Sequence, residues 1–140
     1  MIKNFPKTGI KAILQSESTY NAAERERVAK MIIKSLEFLS VMRQLIYGRT
    51  PFWPRLTGYR NDLNLMATMG KLPLEDIQCP TLVAHWTADG DVPFSHAEAA
   101  ANSIPNAQLF KMEGVCHLLW LSENADEMVQ AQVEFVKAHL

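Results

Sequence analysis

The chain has 140 residues, 48% of them hydrophobic and 21% charged, which fits one globular domain with a single core and excludes a disordered or fibrous polypeptide. Its formal net charge is −1 with acids and bases interleaved, so there is no electrostatic footprint for nucleic acid or an anionic membrane. Apolar runs fall short of the roughly 20 residues a membrane span requires. The opening stretch MIKNFPKTGIKAIL lacks the apolar segment and cleavage site of a secretory leader. Cys79 and Cys116 are too few for a disulfide scaffold and do not sit at metal-ligand spacing. These totals lead to the expectation of a cytoplasmic protein with free thiols, no metal and no cofactor.

In chain order, residues 9–15 (GIKAILQ) follow a Pro-Lys-Thr-Gly turn and read as a short buried strand. Asn21 with Glu24 has the spacing of a capping box, and a long helix is expected from there to about Tyr47, ending at Gly48. Its apolar residues form more than one stripe: Val28, Ile32, Leu36 and Leu39 on one face, Met31, Phe38, Met42 and Leu45 on another. Such a helix is covered on both sides, by core packing or by a pocket that it lines. Two prolines in TPFWP end it, and a shorter helix is expected over residues 60–69.

After Cys79-Pro80 the pattern is regular: a strand over 81–86, a helix over 95–104, a strand over 108–112 and a final helix over 124–140. Ser95 with Glu98, and Asn124 with Glu127, again have capping-box spacing. Strands and helices of these lengths in alternation imply parallel β-α-β units with right-handed crossovers. The expected architecture is α/β: about three parallel strands with flanking helices, and a helical insertion near residues 20–70 between the first two.

In open parallel sheets, functional residues gather in the loops at the carboxyl ends of strands. Here those loops hold Asp89 and Asp91 after the 81–86 strand, and His117 after the 108–112 strand. A carboxylate that accepts from one imidazole nitrogen fixes the tautomer and leaves the other nitrogen free to take a proton. By spacing alone such a pair is only compatible with the pattern, because any α/β protein has Asp and His in such loops.

The segment CPTLVAHWTADGDVP resembles the stretch around the seventh strand of the α/β-hydrolases, where a Pro-Thr-Leu-Val strand leads to the triad acid. FSHAEAAANSIPNAQLFKMEGVCHLLWLSENADEMVQAQVEFV is similar to the closing stretch of that family, with the eighth strand, the loop bearing the triad base and the last helix. NFPKTGIKAILQSES and YRNDLNLMATMGKLPLEDIQ resemble the sixth strand and the junction between cap and core. The resemblance therefore covers the whole chain, read as one domain, residues 1–140, with residues 72–140 as the C-terminal β-α-β-α part. It implies that Asp89 is the triad acid, with Asp91 as the alternative, and that His117 is the base. Trp86 stands where most members have Gly, and Cys116 where many have Gly or Ser.

A hydrolase of this kind needs a nucleophile on a tight strand-to-helix turn, usually G-x-S-x-G. None of Ser16, Ser18, Ser35, Ser40, Ser95, Ser103 and Ser122 is flanked by glycines at that spacing. Ser16 and Ser18 suit turn and capping duty, and Cys116 adjoins His117 too closely in sequence for attack geometry. The expectation is a C-terminal part of a serine-type hydrolase acting on a small acyl substrate, an ester or lactone, with the nucleophile encoded elsewhere. By itself it is expected to be inactive. A dehalogenase-like hydrolase and a non-enzymatic oligomerisation or binding module are the alternatives. An unpaired edge on the 9–15 strand, or the long helix, would favour homo-oligomers. His85 reads as a packed strand or pocket-lining residue and His96 and His139 as helix-surface residues. Phe52, Trp53 and Trp120 suit a substrate pocket or cap packing equally.

Overall fold

A computed structural model describes residues 7–49 and 51–140. The helices are α1 (Lys7–Glu17), α2 (Ala22–Lys34), α3 (Leu36–Arg49) and α4 (Leu56–Thr68). Strand β1 (Leu82–Trp86), helix α5 (Phe94–Ser103), strand β2 (Gln108–Met112) and helix α6 (Ala125–Ala138) follow.

The expected first strand is a helix. In α1 the apolar residues Ile10, Ile13 and Leu14 recur at three- and four-residue spacing, which suits one helical face, and Ile10 and Leu14 are fully buried. A short apolar run does not by itself distinguish strand from helix, and here packing against α2 decides. Among the described residues the sheet therefore has two strands, where about three were expected. The strand-edge route to oligomers can no longer run through residues 9–15.

The capping box at Asn21 is formed. Its Oδ1 accepts from the N–H groups of Ala23 and Glu24 at 2.9 and 3.0 Å, and the Asn21 N–H donates to Glu24 at 2.7 Å. The single long helix expected from residue 21 to about 47 is instead two helices. Ser35 is extended (φ −94°, ψ 119°), and its Oγ accepts from the Phe38 N–H at 3.2 Å, so it starts α3 as a side-chain cap. The main core lies between these helices and the C-terminal loops: Ile10, Leu14, Val28, Ala29, Ile32 and Met42 pack with Cys116, Leu118 and Leu121. Helix α4 starts four residues earlier than expected and buries none of its residues.

Strands β1 and β2 are parallel, from Leu82 opposite Gln108 to Trp86 opposite Met112. Helix α5 forms the crossover and packs on both. A left-handed Asn106 (φ 59°), a conformation asparagine tolerates, makes the turn into β2. The other two capping boxes are absent. Helix α5 begins at Phe94, so Ser95 already lies inside it and Pro93 occupies the cap position. Asn124 (φ −104°, ψ 18°) is not extended, as a side-chain cap requires, and makes no cap bond.

Candidate active site

The loops that leave β1 and β2 run side by side. The Thr87 N–H donates to the Met112 carbonyl and the Ala88 N–H to the Val115 carbonyl, each at 3.0 Å. Thr87 Oγ1 accepts from the Gly114 N–H and donates to the Glu113 carboxylate, both at 2.9 Å, which fastens the second loop to the first. Gly114 is left-handed (φ 67°), where a side chain would be strained.

This stitching brings Asp89 and His117 together. His117 Nδ1 donates to Asp89 Oδ2 at 2.9 Å, and Asp89 Oδ1 accepts from the N–H groups of Asp91 and Val92 at 2.9 and 2.8 Å. The Asp89 side chain is 1% exposed, whereas His117 keeps 33% of its side chain in solvent. Burial opposes ionisation of Asp89, but the Val92 N–H, the His117 ring and the Asp91 N–H outweigh it and hold the carboxyl below its ordinary value. With Asp89 ionised, Nδ1 carries a proton, so in the neutral ring the lone pair is at Nε2.

The remaining candidates fall around this pair. Asp91 does not share the Nδ1 bond; its carboxylate lies 3.7 Å from Nε2 and is largely exposed. His85 packs in the strand, as its position predicts, with its ring edge-on to Phe94 and Nε2 3.8 Å from Asp89 Oδ2. Ser16, inside α1, and Ser18, just after it, donate their hydroxyls to the Ile13 and Leu14 carbonyls, and only Ser18, whose Oγ also accepts from the Tyr20 N–H at 3.3 Å, has the turn duty expected of both. Cys116 is buried, which pushes its thiol up, although the Leu118 N–H and Tyr20 oppose the shift. Among the described residues, no hydroxyl or thiol is hydrogen-bonded to His117 Nε2. His96 is an exposed residue of α5, and His139 Nδ1 binds the Phe135 carbonyl at the end of α6.

No family model matches the chain. The uncharacterized hydrolase YcgS of Bacillus subtilis strain 168 is 32% identical over 81 residues, which is 58% of this chain and 28% of that protein. An alpha/beta hydrolase fold protein from Nakamurella multipartita matches 95% of this chain and 46% of its own, with a TM-score of 0.80 and 24% identity. The chain has a partial α/β-hydrolase fold. It spans less than half the length of either protein.

Within this α/β-hydrolase fold the two unusual residues are accommodated by packing. Trp86 stacks on His85 at 5.8 Å and joins the small cluster of Met112, Val115 and Leu119, so the turn after it still delivers Asp89. Cys116 is part of the main core. A cavity of about 170 Å³ lies behind the His117 loop, lined in part by Leu14, Tyr20, Val28, Met31 and Cys116. Neither Asp89 nor His117 lines it, and nor do Phe52, Trp53 or Trp120, of which Trp53 is largely and the other two about half exposed. Among the described residues, ligand atoms of Glu17, Asp91 and His117 lie within 4.8 Å of one another, a group that could hold a cation. No helix among the described residues is long and apolar enough to cross a membrane.

Sequence reasoning missed residues 17–19. The Glu17 carbonyl accepts from the N–H groups of both Gly90 (3.3 Å) and His117 (3.0 Å), and the Thr19 N–H donates to the Ala88 carbonyl at 3.0 Å. Backbone contacts between residues so distant in sequence leave no side-chain signature. The one available signal is Gly90 itself, lodged between two aspartates.

Proposed function

We propose that this chain carries the acid and base of a serine-type hydrolase that cleaves a small acyl substrate, an ester or lactone. The observation that carries the reading is the 2.9 Å bond from His117 Nδ1 to the buried Asp89 carboxylate. Asp89 fixes the tautomer and steadies the imidazolium that forms when Nε2 takes a proton. His117 Nε2 is the general base toward a nucleophile hydroxyl and returns that proton to the leaving group. The nucleophile, and the N–H donors that stabilise the oxyanion beside it, come from polypeptide outside these 140 residues. The absence of a glycine-flanked serine and the backbone-bonded hydroxyls of Ser16 and Ser18 support this division.

The test joins this chain to the nucleophile-bearing part of a hydrolase of the same fold and follows release from a p-nitrophenyl ester. His117→Ala must abolish turnover, and the 140-residue chain alone must show no burst. Turnover untouched by His117→Ala, or a burst from the chain alone that His117→Ala removes, overturns the reading.

Self-association belongs to the same proposal. Among the described residues the edge of β1 away from β2 has no strand partner, and that edge with the exposed Leu36 and Tyr47 of α3 are the surfaces through which a second copy would pair.

A further inference from the structure

We propose that residues 17–19 are a positioning brace for the Asp89–His117 pair, and that Gly90 is the residue whose missing side chain lets the brace seat. The inference rests on the reading of that pair as acid and base.

A carbonyl oxygen has two lone pairs, and the Glu17 carbonyl uses them on two different loops. One N–H comes from Gly90, next to the acid, and the other from His117 itself, at 3.3 and 3.0 Å. The spacing of the acid loop and the base loop is thus set through one shared atom. The Thr19 N–H holds the Ala88 carbonyl at 3.0 Å, so the acid loop is gripped on both sides of Asp89, and this bond together with that from Gly90 pairs Ser18 with Asp89 as an antiparallel bridge. The brace has a rigid root. Ser18 Oγ binds the Leu14 carbonyl, and Leu14 is fully buried in the main core. Geometry between the two loops is thereby referred to helix α1, and not left to the loops alone.

Gly90 makes the approach possible. A Cβ there would sit 2.6 Å from the backbone N and C of Ser18 and 2.8 Å from its O. Gly90 is not left-handed, so the requirement is space and not conformational freedom. Backbone cannot swing aside as a side-chain tip can. Relief of the contact therefore moves residues 17–19 off the loop and releases the Glu17 and Thr19 bonds. Gly70, with nothing within 4 Å of its would-be Cβ, offers the matched control.

The experiment is proton NMR and amide exchange on the 140-residue chain and on Gly90→Ala and Gly70→Ala. Wild type is expected to show a downfield, slowly exchanging His117 Nδ1–H resonance. Its Thr19, Gly90 and His117 amides are expected to exchange with one common protection, as a single opening unit. Gly90→Ala should lose or broaden that resonance and speed exchange of the Thr19 and His117 amides and of the amide at position 90 by about tenfold or more, with β1 and β2 amides unchanged. Gly70→Ala should change none of these. A merely structural role for Gly90 would lower stability without moving the Nδ1–H signal. Retention of the signal in folded Gly90→Ala, or its equal loss in Gly70→Ala, overturns the brace and leaves the acid–base pair standing. Absence of the signal from wild type overturns the pair, and the brace with it. Where Gly90→Ala does not fold, wild-type exchange decides: one common protection supports the brace, and independent rates at the three amides refute it.

Discussion

Replacing Asp89 by asparagine preserves the shape of the side chain and removes its charge. The asparagine oxygen can still accept from the Asp91 and Val92 N–H groups, so the turn survives. Its amide NH2 then occupies the place of Oδ2 and faces His117 Nδ1, donor against donor, until the imidazole moves its proton to Nε2. One charge-assisted hydrogen bond is lost, a cost of about 1.5–3 kcal/mol. At roughly 2–4 °C per kcal/mol for a chain of this size, the melting temperature should fall by roughly 3–12 °C at neutral pH. The sign of the pH dependence follows from the depressed carboxyl of Asp89. The stability it contributes is fully present above its ordinary value of 3.8 and is lost as pH falls through the lower folded value. The two melting curves should therefore converge in acid. The assay is thermal unfolding of both proteins from neutral to acidic pH, with the Nδ1–H resonance as a second readout. Equal melting temperatures at neutral pH, with the resonance retained in the variant, would refute the reasoning.

Leu14→Ala should cost about 2–5 kcal/mol in chemical denaturation, because the side chain is fully buried in the main core. Leu63→Ala, 47% exposed on α4, should cost less than about 0.5 kcal/mol; equal effects would show that the core lies elsewhere. A thiol reagent should modify exposed Cys79 quickly and buried Cys116 only after unfolding, and two fast equivalents in native protein would contradict the burial of Cys116. Sedimentation at high concentration should show dimers or larger species, and a monodisperse monomer would remove the self-association proposal.

The β-α-β segment was legible because its signals are local. Strand 108–112 matches β2 at both ends, and 81–86 differs from β1 by one residue. Asp89 and His117 could be named because their loops follow these strands and because the segments resemble those of a known family. Asn21 could be named as a cap from capping-box spacing within four residues, but Ser95 and Asn124 share that spacing and form no box, so the spacing alone does not decide.

Tertiary packing settled the rest. Residues 9–15 hold three apolar side chains that suit either a buried strand or one helical face, and only burial of Ile10 and Leu14 against α2 selects the helix. The long helix breaks at Ser35 because that hydroxyl caps α3, a choice that apolar periodicity on either side does not reveal. The carboxyl of Asp89 lies below its ordinary value through two backbone N–H groups and one ring, and the Glu17 carbonyl receives N–H groups from residues 73 and 100 positions away in the chain. Backbone donors and acceptors are the same in every residue, so their long-range pairing carries no mark in the sequence and is set only when the chain packs.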